Sequence, residues 1–527
     1  MSTLTSTGTI ALFFLRRDRI ALLCWVVGGF LLYATQGPSI ESTYPTQAEL
    51  DRAAASMGGN PAFIAMLGPD RALNTIGGQV AWQVSAMGPI LAGLMSMFLV
   101  GRHTRAEEET GREELVRSGV VGRYASFSAA AIVTTIANAV LAAVVTIGLI
   151  ASDLPAAGSL ALGLGLFASG LVFMGVALLA AQLSESTRGM YGITGAVIGI
   201  AYVIRGVGDV GNGAFSWLSP IGWAQAMRAY ADEVWWPVLL SIAAAAVLVM
   251  IALRLLRHRD VGAGILPPRP GPARAPAGMR SELGLAWRLQ RGTFIGWAIG
   301  LFAIGASYGS IGTDVEDIMG TGTAADMMAQ GGGALTDSFY ATTALMMALF
   351  GSAYAIQAAL RLRGEESAGR IESLLATSLS RSRWLWSHAL IVLLGSLVVV
   401  GLGGFGTGLM YGIMSDDLGQ IPRLLGASLV HVPSTLVLAG VAITLVGVLP
   451  RFATAAWAAL AFCVVVLIFG TVLDLPGWLV NLSPFQHSPM VPVADFDPTT
   501  VATIAVVAAG LFAAGTLGLR RRDIQTL

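Results

Sequence analysis

Few side chains in this 527-residue sequence could do chemistry, and most of what they say is exclusion. All 31 basic residues are arginine; there is no lysine. A P-loop ATPase holds the β- and γ-phosphates with the lysine of G-x-x-x-x-G-K-[ST]. Schiff-base catalysis also consumes a lysine. Neither reaction can be run by this chain. The segment Gly401-Leu402-Gly403-Gly404-Phe405-Gly406 spells G-x-G-x-x-G, but it lies inside an apolar run with no strand before it, so it does not read as a dinucleotide site. The histidines His103, His258, His388, His431 and His487 lack zinc-ligand spacing, and Cys24 and Cys463 are too few for a disulfide framework. Asp314, Glu316 and Asp317 cluster loosely and read as a solvated acidic loop. No metal site and no catalytic set is expected.

One polar pattern does stand out, because it occurs twice. Residues 105–123 read RAEEETGREELVRSGVVGR and residues 363–381 read RGEESAGRIESLLATSLSR, in register at a constant offset of 258. The first stretch predicts a helix over 102–124, with Thr104 and Glu107 as a capping box and Gly119 at its end. Glu108 and Arg112 stand at i,i+4, as do Glu366 and Arg370, each pair stabilising the helix by about 0.2–0.5 kcal/mol. Glu107, Gly111 and Glu114 share a neighbouring face, repeated as Glu365, Gly369 and Glu372. Glycine within a helix costs about 1 kcal/mol against alanine, so its placement twice at the same point predicts close approach by another surface. A surface kept in both copies, with Arg105 and Arg363 at its start, points to docking of a partner that is itself twofold.

The elements that would position these segments are membrane spans. Hydrophobic residues make up 55% of the sequence and charged ones only 12%, against about a quarter in soluble domains. A disordered chain, a nucleic-acid binder and an ordinary soluble enzyme are excluded. Spans of about 20 apolar residues are expected near 20–35, 79–101, 125–151, 156–182, 189–206 and 236–256, then 292–311, 340–360, 384–414, 421–449, 453–473 and 499–519. The reading is an all-α membrane protein of twelve transmembrane helices. With both termini cytoplasmic, only Arg52, Arg71, Arg205, Arg228 and Arg423 fall on the external side, where acids are in excess; this is the positive-inside pattern. A cell membrane crossed many times is the expected location.

The whole chain is duplicated, not just the charged segments. Arg16, Arg19 and Trp25 recur as Arg288, Arg291 and Trp297; Leu218-Ser219-Pro220 recurs as Leu482-Ser483-Pro484; the halves end on Arg257-His258-Arg259-Asp260 and Arg520-Arg521-Arg522-Asp523. Six spans per half make a parallel repeat. Residues 1–260 form the first half, 261–279 a Pro/Gly/Arg linker and 280–527 the second half. Polar or flexible side chains on the spans mark candidate substrate contacts: Gln83, Met87, Met95 and Phe98 in the first half, Met346, Met347 and Phe350 in the second.

The R-x-E-E-x-x-G-R-x-E motif in both halves, the Leu-Ser-Pro stretches and the arginine-rich ends resemble permeases of the ABC exporter superfamily, in particular the fused twelve-span actinobacterial type associated with tetronasin resistance. The resemblance implies an ABC-2-like fold, with amphipathic elbow helices near 5–19 and 279–291 and helical caps near 207–235 and 474–498. It implies that the glutamate-rich segments are coupling helices. Their docking residues would be Arg105, Glu107, Glu108, Gly111, Arg112 and Glu114, and Arg363, Glu365, Glu366, Gly369, Arg370 and Glu372. Two copies of a separate P-loop ATPase would seat there and carry the ATP and Mg; no cofactor is expected on this chain. The substrate would be a hydrophobic drug or lipid-like molecule moved outward. The rival readings are a 6+6 proton-coupled transporter, which the scarcity of acids in the spans disfavours, and a membrane lipid-modifying enzyme.

Overall fold

The computed structural model describes residues 3–260, 262–266, 273–274, 276–279, 281–312, 335–469 and 475–523. Asp314, Glu316 and Asp317 lie outside the described residues, as does much of the 261–279 linker. Among the described residues every regular element is a helix. Among the described residues eleven helices are long and apolar enough to cross a membrane, and a pair, Ile76–Val84 and Met87–Glu109, bent by 42°, makes a twelfth when taken as one span. The chain divides into two compact units, Met1–Pro270 and Gly271–Leu527, each with six of these spans. Lipid offers no hydrogen bonds to the backbone, so helices are the form these apolar runs must take.

In the first unit, Ala156–Leu183 is the central helix, packed on Met87–His103, Ala125–Ala151 and Pro237–Leu256. The short helix Thr7–Arg17 precedes the first span and stops at Asp18, where Arg19–Ala34 begins; Ala11 and Phe14 seat it on Ala129 and Val133. This is the expected elbow. The long loop after the first span folds into helices Gln47–Met57 and Pro61–Leu67, the former started by a capping box between Thr46 and Glu49.

In the second unit, Leu335–Ser367 is central, and Glu282–Gly309 lies along Arg381–Met414. Their approach is close because glycines meet backbone. A Cβ on Gly305 would strike the Gly403 carbonyl, and one on Gly406 the Phe302 carbonyl. Small residues let membrane helices gain van der Waals contact where no hydrophobic effect drives them together. Gly404 and Gly408 pack likewise on Gln420–Leu429, whereas Gly195 and Gly199 have open space beside them. The expected second elbow, 279–291, is not a separate element: from Glu282 the helix runs unbroken into the span. The repeats differ at the break. By the Arg16/Arg288 register, Asp18 corresponds to Gln290, and Gln290 stays within its helix while its amide meets Nδ1 of His388 at 2.9 Å.

Candidate functional site

The duplicated charged segments form the same device twice. After Met87–His103 the chain turns at Thr104, makes a short helix Arg105–Glu109, turns again at Gly111 and makes a second short helix, Arg112–Arg117. The second unit turns at Gly369 between Leu335–Ser367 and Arg370–Leu375. Both glycines have positive φ, 71° and 68°, and neither has an atom near where a Cβ would stand. The continuous helix expected over 102–124 is therefore broken. These glycines serve a left-handed turn that other residues adopt only at a cost, and no atom of this chain lies near where their Cβ would stand. The expected capping box is absent too: the Thr104 hydroxyl donates to the Val100 carbonyl.

The turn changes the ion pairing. Glu108 does not pair with Arg112. Its two oxygens accept from Arg259 at 2.6 and 2.9 Å, and Oε2 also takes Arg105 Nη1 at 2.9 Å and the Gly262 amide at 3.2 Å. In the second unit Glu366 accepts both Nη groups of Arg522, at 2.6 and 2.7 Å, with Arg363 at 3.5 Å. Arg259 and Arg522 are the equivalent arginines of the two repeat ends. Two motifs seen separately in the sequence thus meet in a bidentate clamp that fastens each turn to the end of its unit's last span. Arg123 and Arg381, also equivalent, complete it by donating to the carbonyls of Arg257 and Arg522 at 2.9 and 2.6 Å. The clamp glutamates are enclosed, with side chains 7% and 0% exposed. A fork-to-fork pair in such a place is strong and geometrically exacting.

The docking residues expected from the sequence therefore split. Arg105, Glu108, Glu365 and Glu366 are internal, and Arg363 is half-buried at the second clamp. Arg112, Glu114, Arg370 and Glu372 are presented to the outside, with Gly111, Gly369 and Glu107 half-buried between the two groups. Arg112 stands 3.9 Å from Glu107, while Arg370 is held by Glu365 at 2.7 and 3.1 Å, not by Glu366. That contact with Glu365 raises the Arg370 pKa further. Beside Arg112 the helix Arg112–Arg117 exposes Leu115, 75% accessible. Beside Arg370 the helix Arg370–Leu375 opens on a cavity of about 500 Å³ whose wall includes Glu282, Leu374, Trp384 and His388. In the first unit, the chain near Thr3–Ser6 pairs with the equivalent stretch: Gly122 and Tyr124 donate to the carbonyls of Thr5 and Thr3, each at 3.0 Å.

Sequence reasoning missed a second cluster. Asp18, 1% exposed, lies 3.0 Å from Arg102 and 3.1 Å from His103, without aligned hydrogen bonds, and Arg17 bridges from His103 to Glu107 at 3.1 and 2.8 Å. It ties the elbow to the turn. The available signal was an acid flanked by arginines at 16, 17 and 19, with no acid at the repeat position.

Of the span residues expected along a substrate path, Met95 and Met347 are wholly enclosed within their units and present no surface; they are packing residues. Gln83 and Met346 are half-buried. Met87, Phe98 and Phe350 are about two-fifths exposed. Gln357 is exposed as well and accepts from Trp297 Nε1 at 2.7 Å, beside an open groove of about 320 Å³ along Gly292, Gly296 and Gly300. Among the described residues no group of acids, histidines and cysteines is arranged to hold a metal.

Residues 279–520 match the family described as multidrug efflux system permease Rv1217c, C-terminal domain. Over 528 residues, the chain is 39% identical to the multidrug efflux system permease protein Rv1217c of Mycobacterium tuberculosis (strain ATCC 25618 / H37Rv), covering 98% of this chain and 96% of that one.

Proposed function

The chain belongs to the multidrug efflux permease family, as an ABC exporter permease of many membrane-spanning helices, and on that premise we propose how it is driven. It is the membrane subunit of an ATP-powered exporter that moves hydrophobic drugs or lipid-like molecules outward across a bacterial plasma membrane. Its termini and both clamps lie in the cytoplasm. Two copies of a separate P-loop ATPase, which hold the ATP and Mg, seat on the helices Arg112–Arg117 and Arg370–Leu375. The supporting observation is the clamp built twice: an exposed short helix, left-handed glycine turn and buried Glu–Arg fork, fixed to the last span in each unit. A partner's push on the short helix is passed to a transmembrane helix through a buried ion pair, not through a mobile loop. Of the span side chains proposed as cargo contacts, Met87, Phe98, Phe350 and Gln357 present the most surface.

The test is co-expression of the chain with its ATPase, mild-detergent purification and measurement of drug-stimulated hydrolysis. Arg112→Gln with Arg370→Gln should leave the permease folded, since Glu365 keeps Arg361 at 2.7 Å, and abolish stimulation. Stimulation at the wild-type level would remove these helices from the ATPase interface.

A further inference from the structure

The arginines at the span ends away from the clamps are few, and most are neutralised or tied to the backbone. Arg205, wholly buried, pairs with Asp209 at 3.2 Å and donates to the Met66 carbonyl at 3.0 Å. Arg423 pairs with Asp337 at 2.7 Å. Arg52 bonds the Ala48 carbonyl of its own helix. Arg71 and Arg228 differ. Arg71 donates to the Gln225 carbonyl at 3.0 Å, and among the described residues neither arginine reaches an ion pair. Asp70 is turned to the Gly59 amide, and Asp209 is committed to Arg205 and the Ser216 hydroxyl.

These two arginines line one cavity of about 470 Å³ within the first unit. Its far wall is a stacked pair, Trp217 and Trp236, with ring centres 5.1 Å apart and planes within 10°. Both indoles are about half exposed, and the span Pro237–Leu256 begins at the next residue, so the pair stands where a bilayer surface would be. The segment that brings Pro69 and Arg71 to the cavity is fastened just before them: Trp82 Nε1 donates to the Gly68 carbonyl at 2.9 Å and the Tyr202 hydroxyl to the Met66 carbonyl at 3.0 Å. Burial, and then the charge of Arg228, lower the Arg71 pKa, while Asp209 and Asp70 pull it back.

We infer that this cavity binds an anionic amphiphile, its phosphate or carboxylate head between Arg71 and Arg228 and its apolar tail along Trp217 and Trp236. Asp209 also lines the cavity, but its oxygens are taken by Arg205 and the Ser216 hydroxyl; Arg71 and Arg228, which form no ion pair among the described residues, repel one another, and a bridging oxyanion relieves that repulsion with charge-assisted hydrogen bonds. The indole faces offer an apolar body beside the charged head. The site belongs to the first half alone. By the register of the Leu-Ser-Pro stretches, Trp217, Arg228 and Trp236 correspond to Asn481, Pro492 and Thr500. The inference does not depend on how transport is powered. The same head could arrive on a bilayer lipid or on a free acidic molecule.

The test uses the full-length protein in phosphatidylcholine nanodiscs. One arm adds a photoactivatable phosphatidylglycerol to the bilayer; the other adds dodecyl phosphate from water as its competitor. Labelling is expected at peptides containing Trp217 and Trp236, at least about tenfold above that by a phosphatidylcholine probe, since charge-assisted bonds are at stake. Arg228→Gln, at an exposed and unbonded side chain, should keep the fold and lower labelling about tenfold; Arg52→Gln should not. Displacement by dodecyl phosphate at lower concentration than unlabelled phosphatidylglycerol identifies a free ligand, and the reverse a lipid; either supports the site. Equal labelling by both lipid probes, or labelling untouched by Arg228→Gln and Arg71→Gln alike, overturns it.

Discussion

At the scale of single residues, the two clamps turn on which arginine holds which glutamate. Glu108 is enclosed with Arg259 on both oxygens, whereas Arg112 is 64% exposed and 3.9 Å from its nearest acid. Removing one partner of a buried pair strands the other's charge, at about 3–5 kcal/mol; loss of an exposed pair costs under about 1 kcal/mol. Glu108→Gln should therefore destabilise the detergent-solubilised protein by roughly 3 kcal/mol and Arg112→Gln by less than about 0.5. Urea or thermal unfolding of both variants checks this. Equal losses would show that the pairing lies elsewhere. A double-mutant cycle joining Glu108→Gln to Arg259→Gln should give a coupling of about 1 kcal/mol or more, as contacting residues do.

At the scale of elements, the left-handed turns and the glycine seams govern. Gly111→Ala or Gly369→Ala places a Cβ on a backbone that disfavours it by roughly 1–2 kcal/mol. Protection of the short helices against hydrogen exchange should fall, while the spans keep theirs; unchanged protection would mean the turn carries no strain. Gly305→Val should do the reverse, forcing Glu282–Gly309 away from Arg381–Met414 and costing about 1–3 kcal/mol of global stability. The spans were legible in the sequence because burial in lipid needs length and apolarity alone. The charged segments were legible as a repeat. Their break was not, because Gly111 and Gly369 read as a helix penalty when their use is positive φ. Nor was the clamp, since Glu108 and Arg259 are 151 residues apart and Glu366 and Arg522 are 156 apart. Local spacing favoured Arg112 and Arg370, and long-range packing overrode it. The missing second elbow has the same character: Asp18 stands at a break between two helices, while Gln290 at the same repeat position lies inside one continuous helix.

At the scale of the whole molecule, a chain without lysine and with twin clamps has levers but no engine. On the proposed reading, its transport follows the nucleotide cycle of a separate ATPase. The most direct measurement is drug efflux into or out of proteoliposomes holding the chain alone, the chain with its ATPase, and the chain bearing Arg259→Gln and Arg522→Gln with the ATPase. The account predicts ATP-dependent transport only in the second case, insensitive to collapse of the proton gradient, and lost in the third although the ATPase is present. Uphill transport by the chain alone, or undiminished transport with both clamps opened, would contradict it.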